Sequence, residues 1–327
     1  MKPVIYLFAF FSAIVFSGCE PAAVGDKPAV TTNPAAQVLW TEVILGGNVT
    51  NASSEFAIER GVYWGTGSTP QSGGQKLSDQ GGSGVFTLSL IGLNAKTTYY
   101  FQAYATNDNG TGYGEVLSFT TGGVDGTITD PRNGSSYPYT RIGTQTWTTR
   151  NLDYLPSVTP STVESLTEPQ YYVYDYEGTD LAAAKLSENY KSYGTLYNWT
   201  AAQGACPGGW HLPTDAEWKT LEMYLGLTQA DADEVGSRGS IAIKMKNQAG
   251  WSSGNVSTNS SGLSIIPGGF TYPGGGFGSL GSMAQFWTAT ATDASQAWTR
   301  VFYGTGPAAE RRGLYKSRGY SVRCVSN

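Results

Sequence analysis

Hydrophobic and polar residues alternate with a period of two along much of the first third of the chain. The clearest run is residues 99–105 (YYFQAYA), where Tyr99, Phe101, Ala103 and Ala105 share one face and Tyr100, Gln102 and Tyr104 the other. The pattern predicts a strand with one buried face and one wet, aromatic face. Similar short runs, spaced by turns such as Gly46-Gly47-Asn48 and Gly81-Gly82, recur from about Val30 to Thr121 and fit a seven-stranded sandwich. Trp40, Tyr63 and Trp64 are expected in its core. The glycines of residues 122–126 (GGVDG) break the pattern and mark a connector. Beyond it, GTITDPRNGSSYPYTRIGTQTWTTRNL predicts two short strands joined around Asn133-Gly134, with Ile142, Trp147 and Leu152 pointing inward. A helical period follows Thr214, which can cap a helix whose Glu217 reaches back as a capping box, placing Trp218, Leu221 and Leu225 on one face.

The N-terminus departs from both patterns. Lys2 is followed by an apolar run from Val4 to Phe16, too short to span a bilayer, and by the small residues Ser17 and Gly18, as in a removable export signal. Residues 20–36 (EPAAVGDKPAVTTNPAA) carry almost nothing large to bury and read as a solvated tether.

Of the 327 residues 43 are glycine and 14% are charged, about half the usual share of charge and a composition typical of exported β-rich proteins. A net charge of -5 with no basic cluster argues against nucleic acid as a partner. Cysteine is confined to Cys19, Cys206 and Cys324. With Cys19 in the export segment, the other two suggest one long-range disulfide, stable in an oxidising compartment. One histidine and two cysteines fall short of the ligands of a zinc site, so His211, between Trp210 and Leu212, is expected to be packed and bonded to backbone.

Three stretches resemble known families. Phe16-Ser17-Gly18-Cys19 resembles a bacterial lipoprotein box, which implies a diacylated Cys19 as the first mature residue. LNAKTTYYFQAYATNDNG, with Leu93, Thr97 and Tyr99 before the strand and Asn107 and Gly110 after it, resembles the tyrosine-corner region of fibronectin type III domains, with Ala95 where that family often has proline. From Gly126 onward, ordered blocks are similar to the Fibrobacter major paralogous domain. They comprise Gly126, Asp130, Gly134 and Tyr137; Ile142, Gly143, Gln145, Trp147, Asn151 and Leu152; YGTLYNWTAA from Tyr193; CPGGWHLPTDAEWKTL from Cys206; FWTAT from Phe286; and YSVRCV from Tyr320. That family is thought to resemble the C-type-lectin-like fold, in which a disulfide staples an N-terminal helix to the last strand.

The expected architecture is therefore multidomain: signal peptide 1–18, tether 19–29, an all-β fibronectin type III-like sandwich over 30–122, and an α+β C-type-lectin-like domain over 123–327. Lectin-like folds carry variable binding loops in the region corresponding to residues 255–283, where Phe270, Tyr272 and Phe277 offer aromatic faces that either meet a ligand or plug the core. Asp293, in a turn after FWTAT, is a further candidate ligand residue, with capping of backbone as its plainer role. Arg311 and Arg312, with Lys316 and Arg318, either meet an anionic ligand or form a solvated hairpin. No cofactor is expected from the motifs, calcium held by backbone carbonyls being the open alternative. The Glu-Pro-Asn and Trp-Asn-Asp signatures of calcium-dependent lectins are missing from their place; Glu168-Pro169-Gln170 reads as a turn, and Asp231, Asp233 and Glu234 lack the pattern of a calcium loop. HLPTDAEW resembles a segment of formylglycine-generating enzymes, but those use paired reactive cysteines near the end of the domain, where this chain has only Cys324. The expectation is a non-catalytic, outer-membrane-anchored surface lipoprotein that binds glycan or protein. Its alternatives are a structural or adhesive component without a ligand site and, third, an enzyme.

Overall fold

Strand accounts for 39% of the described residues and helix for 12%, so the fold is mostly β. A computed structural model describes residues 26–51, 57, 59–252 and 254–326. The export signal, Cys19 and the tether up to Gly25 lie outside the described residues.

The first alternating stretches become β1 (Ala29–Thr32), β2 (Glu42–Asn51), β3 (Glu59–Gly65), β4 (Gln75–Gln80), β5 (Gly84–Ile91), β6 (Thr98–Asn107) and β7 (Gly110–Thr120). They pair in the orders β1-β2-β5 and β4-β3-β6-β7, two antiparallel sheets facing each other as a fibronectin type III-like sandwich. Val43, Leu45, Val62, Phe86, Phe101 and Ala103 fill the space between them. The tyrosine corner is in place, with the Asn94 N–H donating to Tyr99 Oη at 3.1 Å. The expected wet face of β6 is corrected: Tyr104 is fully buried and Gln102 is 7% exposed. β6 is central in its sheet, and Tyr63, Lys76 and Glu59 close over Tyr104 from the neighbouring strands.

The rest of the chain forms β8 (Gly126–Thr129), β9 (Ser136–Ile142), β10 (Gln145–Thr148), β11 (Tyr171–Tyr172), α1 (Leu181–Leu186), α2 (Glu188–Tyr193), β12 (Leu196–Tyr197) and α3 (Trp199–Gln203). It continues with β13 (Trp210–His211), α4 (Asp215–Tyr224), α5 (Gln229–Asp233), β14 (Gly236–Arg238), α6 (Ala242–Met245), β15 (Phe270–Thr271) and β16 (Phe277–Gly278). It ends in β17 (Met283–Ala291), β18 (Gln296–Tyr303), β19 (Ala309–Tyr315) and β20 (Val325–Ser326). One sheet runs β13-β20-β10-β9-β8 and another β14-β19-β18-β17. The last strand thus returns between strands from the start and middle of the unit. Asn133 and Gly134 lie in the loop joining β8 to β9, Gly134 at φ +75°. Ile142, Trp147 and Leu152 are buried as expected, Trp147 packing 4.8 Å from Trp218.

The capping box at Thr214 and Glu217 starts α4, whose Trp218 and Leu221 are fully buried. Cys206 and Cys324 form a disulfide, with Cα atoms 5.9 Å apart. His211 Nε2 lies 2.8 Å from Glu217 Oε1, so the imidazole meets the capping carboxylate. Glu217 meets Thr214 through Oε2, leaving Oε1 for the imidazole.

Trp40 also departs from its expected place. Leu39 joins the core of the second unit, and the Trp40 indole lies against Gly262 while its Nε1–H donates to Thr140 Oγ1 at 3.0 Å. Gly262 has φ +73°, and a Cβ there would fall 2.0 Å from Trp40 Cε2, so only glycine lets the indole lie against this backbone. Glu42 completes the junction through Ser260 and Lys244. Trp40→Ala should lower the unfolding free energy by about 2 kcal/mol, a partly buried indole being at stake. Unchanged urea unfolding would show that this contact carries no energy.

Candidate functional site

The loops at 161–170, 272–276 and 315–319 converge on one groove. Asn198, fully buried at the N-cap of α3, fixes the first of them: its Nδ2 donates to Ser165 O and Glu168 O, and its Oδ1 accepts from Gln170 N–H. The second is the turn of the β15–β16 hairpin. There the Gly274 N–H donates to Glu164 Oε1 at 2.6 Å and the Gly276 N–H to Ser161 Oγ at 2.6 Å. Gly275 has φ +110°, and a Cβ there would sit 2.6 Å from Thr162 Cγ2. The third loop is held by Lys316, whose ammonium donates to Asp293 O and Ala294 O and lies 4.4 Å from the centre of the Trp199 ring.

These contacts leave a groove of about 400 Å³ lined by Glu164, Ser165, Leu166, Ser295, Tyr315, Ser317 and Arg318. Glu164 forms its polar centre, accepting from Arg318 Nη1 and from Ser317 Oγ as well as from Gly274. Arg318 also donates to Tyr272 O at 3.2 Å. Burial pushes the Glu164 pKa up, but the Gly274 N–H and the Arg318 guanidinium outweigh it and hold the carboxyl below its usual range. The groove is flanked by exposed apolar side chains, Tyr315 at 54% and Leu166 at 48%.

The expected ligand residues divide among separate places. Tyr272, 46% exposed, stands beside the groove through its carbonyl contact with Arg318. Phe270 is half-buried against Tyr272 and Tyr320, and Phe277 lies 5.1 Å from Tyr174. Asp293 caps its turn, accepting from the Ser295 and Gln296 N–H groups. The solvated hairpin expected for the tail is corrected, because Arg311 and Lys316 are 6% and 7% exposed. Arg311 is committed to Asp215 and stacks 3.5 Å from the Trp298 ring centre, while Arg312 pairs with Glu310 on β19. Sequence reasoning missed Glu164, Leu166 and Tyr315. The first two lie in a loop without periodicity, and Glu164 meets its partner Arg318 only across 154 residues.

The buried charges form a second cluster, with a structural role. Asp215 accepts from Arg300 and Arg311, and Glu222 from Arg300 and Arg238. Burial raises the Asp215 pKa, but hydrogen bonds from Arg311 and the charge of Arg300 prevail and hold it at about 2, against 3.8 in the unperturbed state. A depressed carboxylate stabilises the fold fully above its unfolded pKa and loses that contribution as pH falls through the folded one. Urea unfolding should therefore show a loss of about 2 kcal/mol between about pH 4 and pH 2. Asp215→Asn, less stable at neutral pH, should lack that part of the pH dependence; an unchanged pH profile would contradict the assignment. Among the described residues, no group of three or more His, Cys, Asp or Glu side chains is placed to hold a metal ion.

Comparison with known proteins locates the chain. No curated protein matches it. Among solved structures, the sensor domain of the anti-sigma factor RsgI4 from Pseudobacteroides cellulosolvens is 18% identical, over 29% of this chain and 95% of that one, with a TM-score of 0.25. The sixth fibronectin type III domain of human fibronectin type III domain containing protein 3 is 20% identical, over 32% of this chain and 92% of that one, also with a TM-score of 0.25. Likenesses this slight carry no argument, and the sandwich rests on its own strand order. The family model described as the Fibrobacter succinogenes major domain matches residues 140–326, more than half of the chain. The protein therefore belongs to the Fibrobacter succinogenes major domain family.

Proposed function

We propose that the protein is an exported lipoprotein, anchored to the outer membrane through Cys19 and displayed at the cell surface, whose second unit captures a glycan or protein ligand without turning it over. The observation that carries this reading is the groove between Leu166 and Tyr315, where exposed apolar rims flank a rigidly held carboxylate and guanidinium. Concave sites with apolar walls and a few fixed polar groups are the usual form of a ligand site. A C-type-lectin-like second unit is consistent with the pairing of the terminal strand β20 to β10 and with the disulfide just before that strand. The non-catalytic reading is supported by the chemistry of the candidates: Cys206 and Cys324 are joined to each other, and His211 Nε2 is paired with the helix-capping Glu217. The fibronectin-like sandwich then serves as a spacer docked onto the binding unit through Leu39 and Trp40.

The test is a screen of the chain lacking residues 1–19 against glycan arrays and surface-protein extracts, beside the variant L166A/Y315A. Binding in the first and its loss in the second are expected. Retention in the double variant would place recognition elsewhere, and an absence of binding would favour a purely structural surface component.

A further inference from the structure

The groove also restricts the class of its ligand, an inference that rests on reading it as a binding site. Its centre holds one carboxylate and one guanidinium in contact, so the pair sums to zero charge. Lys316, the next cation along the turn, is committed to two backbone carbonyls. Glu164 remains ionised at neutral pH and neutralises Arg318, so the pair offers an entering anion no net attraction. Around the pair, Ser165, which accepts from two backbone N–H groups, keeps a hydroxyl proton to donate, while Ser295 and Ser317, which donate to Asp293 and Glu164, can accept. The same lining includes Tyr315 and Leu166, which offer an aromatic ring and an aliphatic side chain.

We infer that the groove takes a neutral saccharide, with the C–H face of a pyranose ring against Tyr315 and adjacent hydroxyls shared between Glu164 and Arg318. A pyranose is amphiphilic in this way, with C–H groups on its faces and hydroxyls around its edge. A vicinal diol offers a donor and an acceptor side by side, matching a carboxylate next to a guanidinium. The pair is set before the ligand arrives: the Gly274 N–H and Ser317 fix the carboxylate, and the Tyr272 carbonyl fixes the arginine. Little ordering cost then falls on binding.

The test is calorimetric titration of the chain lacking residues 1–19 with neutral gluco- and manno-oligosaccharides, with oligogalacturonates, and with a mixed-sequence peptide pool. Tyr315 is 54% exposed, so Tyr315→Ala leaves the fold intact, which a thermal melt verifies. Tyr113→Ala, an exposed ring on the sandwich, is the control. The expected result is binding of a neutral oligosaccharide, weakened roughly tenfold or more by Tyr315→Ala and unchanged by Tyr113→Ala. Binding of oligogalacturonates or peptides alone, abolished by Tyr315→Ala, would overturn the neutral-saccharide assignment while leaving the groove as a binding site. Neutral binding indifferent to Tyr315→Ala would overturn the assignment to this groove. No binding of any probe would remove both.

Discussion

Glu222→Gln is expected to destabilise the protein by about 3–5 kcal/mol, read as a lower urea midpoint with an unchanged slope. Glu222 is fully buried and receives two guanidinium groups at once, Arg238 through Nη1 and Nη2 and Arg300 through Nε and Nη2, at 2.7–3.3 Å. Both arginine side chains are themselves fully buried. The amide keeps the shape but removes the charge, leaving Arg238 without a carboxylate and Arg300 to share Asp215 with Arg311. The cost arises from the partners left behind, so replacing the whole cluster with apolar residues would be milder than removing its centre. A loss below about 1 kcal/mol would mean that water reaches the cluster and screens it.

The second large effect concerns the disulfide. Replacing both Cys206 and Cys324 with alanine should cost about 4–5 kcal/mol, because the bond closes a loop spanning 118 residues and so removes much of the freedom of the unfolded chain. Locally the last strand is tied only lightly. Cys324 exchanges backbone and side-chain hydrogen bonds with Thr148, and β20 is two residues long. Without the bond, the carboxyl end should fray first, and amide exchange at Val322 to Ser326 should rise before that of α4. An unfolding midpoint within about 1 kcal/mol of the parent would show that Arg323 and the strand pairing hold the terminus by themselves. Arg323 is well suited to help, since it is buried and donates to Asn151 Oδ1 and to the carbonyls of Thr148, Leu263 and Ser264.

The parts of this fold legible in the sequence were those encoded by neighbours in the chain. The capping box needs only Thr214 and Glu217, three residues apart, and the β8–β9 hairpin needs only a glycine able to take positive φ near its turn. The tyrosine corner likewise joins residues five apart. The disulfide was legible for a different reason, cysteine being scarce in this chain. What remained hidden depends on long-range meetings. Trp40 looked like a core residue because it is large and apolar, yet its partners Thr140 and Ser260 lie in the other unit. Arg311 looked solvated because its neighbours Glu310 and Arg312 are charged. Its guanidinium is buried because β19 is flanked by β18 and β14 and faces Asp215 of α4. The same distance effect hid the groove. The sequence pointed to the aromatics of 270–277, whereas the fold half-buries Phe270 and Phe277 and brings Tyr315 and Leu166 to the surface beside Glu164 and Arg318.

The most direct measurement is amide chemical-shift mapping of the isotope-labelled chain during titration with an oligosaccharide that it binds. Shifts centred on residues 164–166 and 315–318, with smaller changes in the 272–276 turn, are predicted. Shifts centred on the sandwich around Tyr113, or on residues 255–264 at the junction with Trp40, would contradict the assignment of this groove as the ligand site.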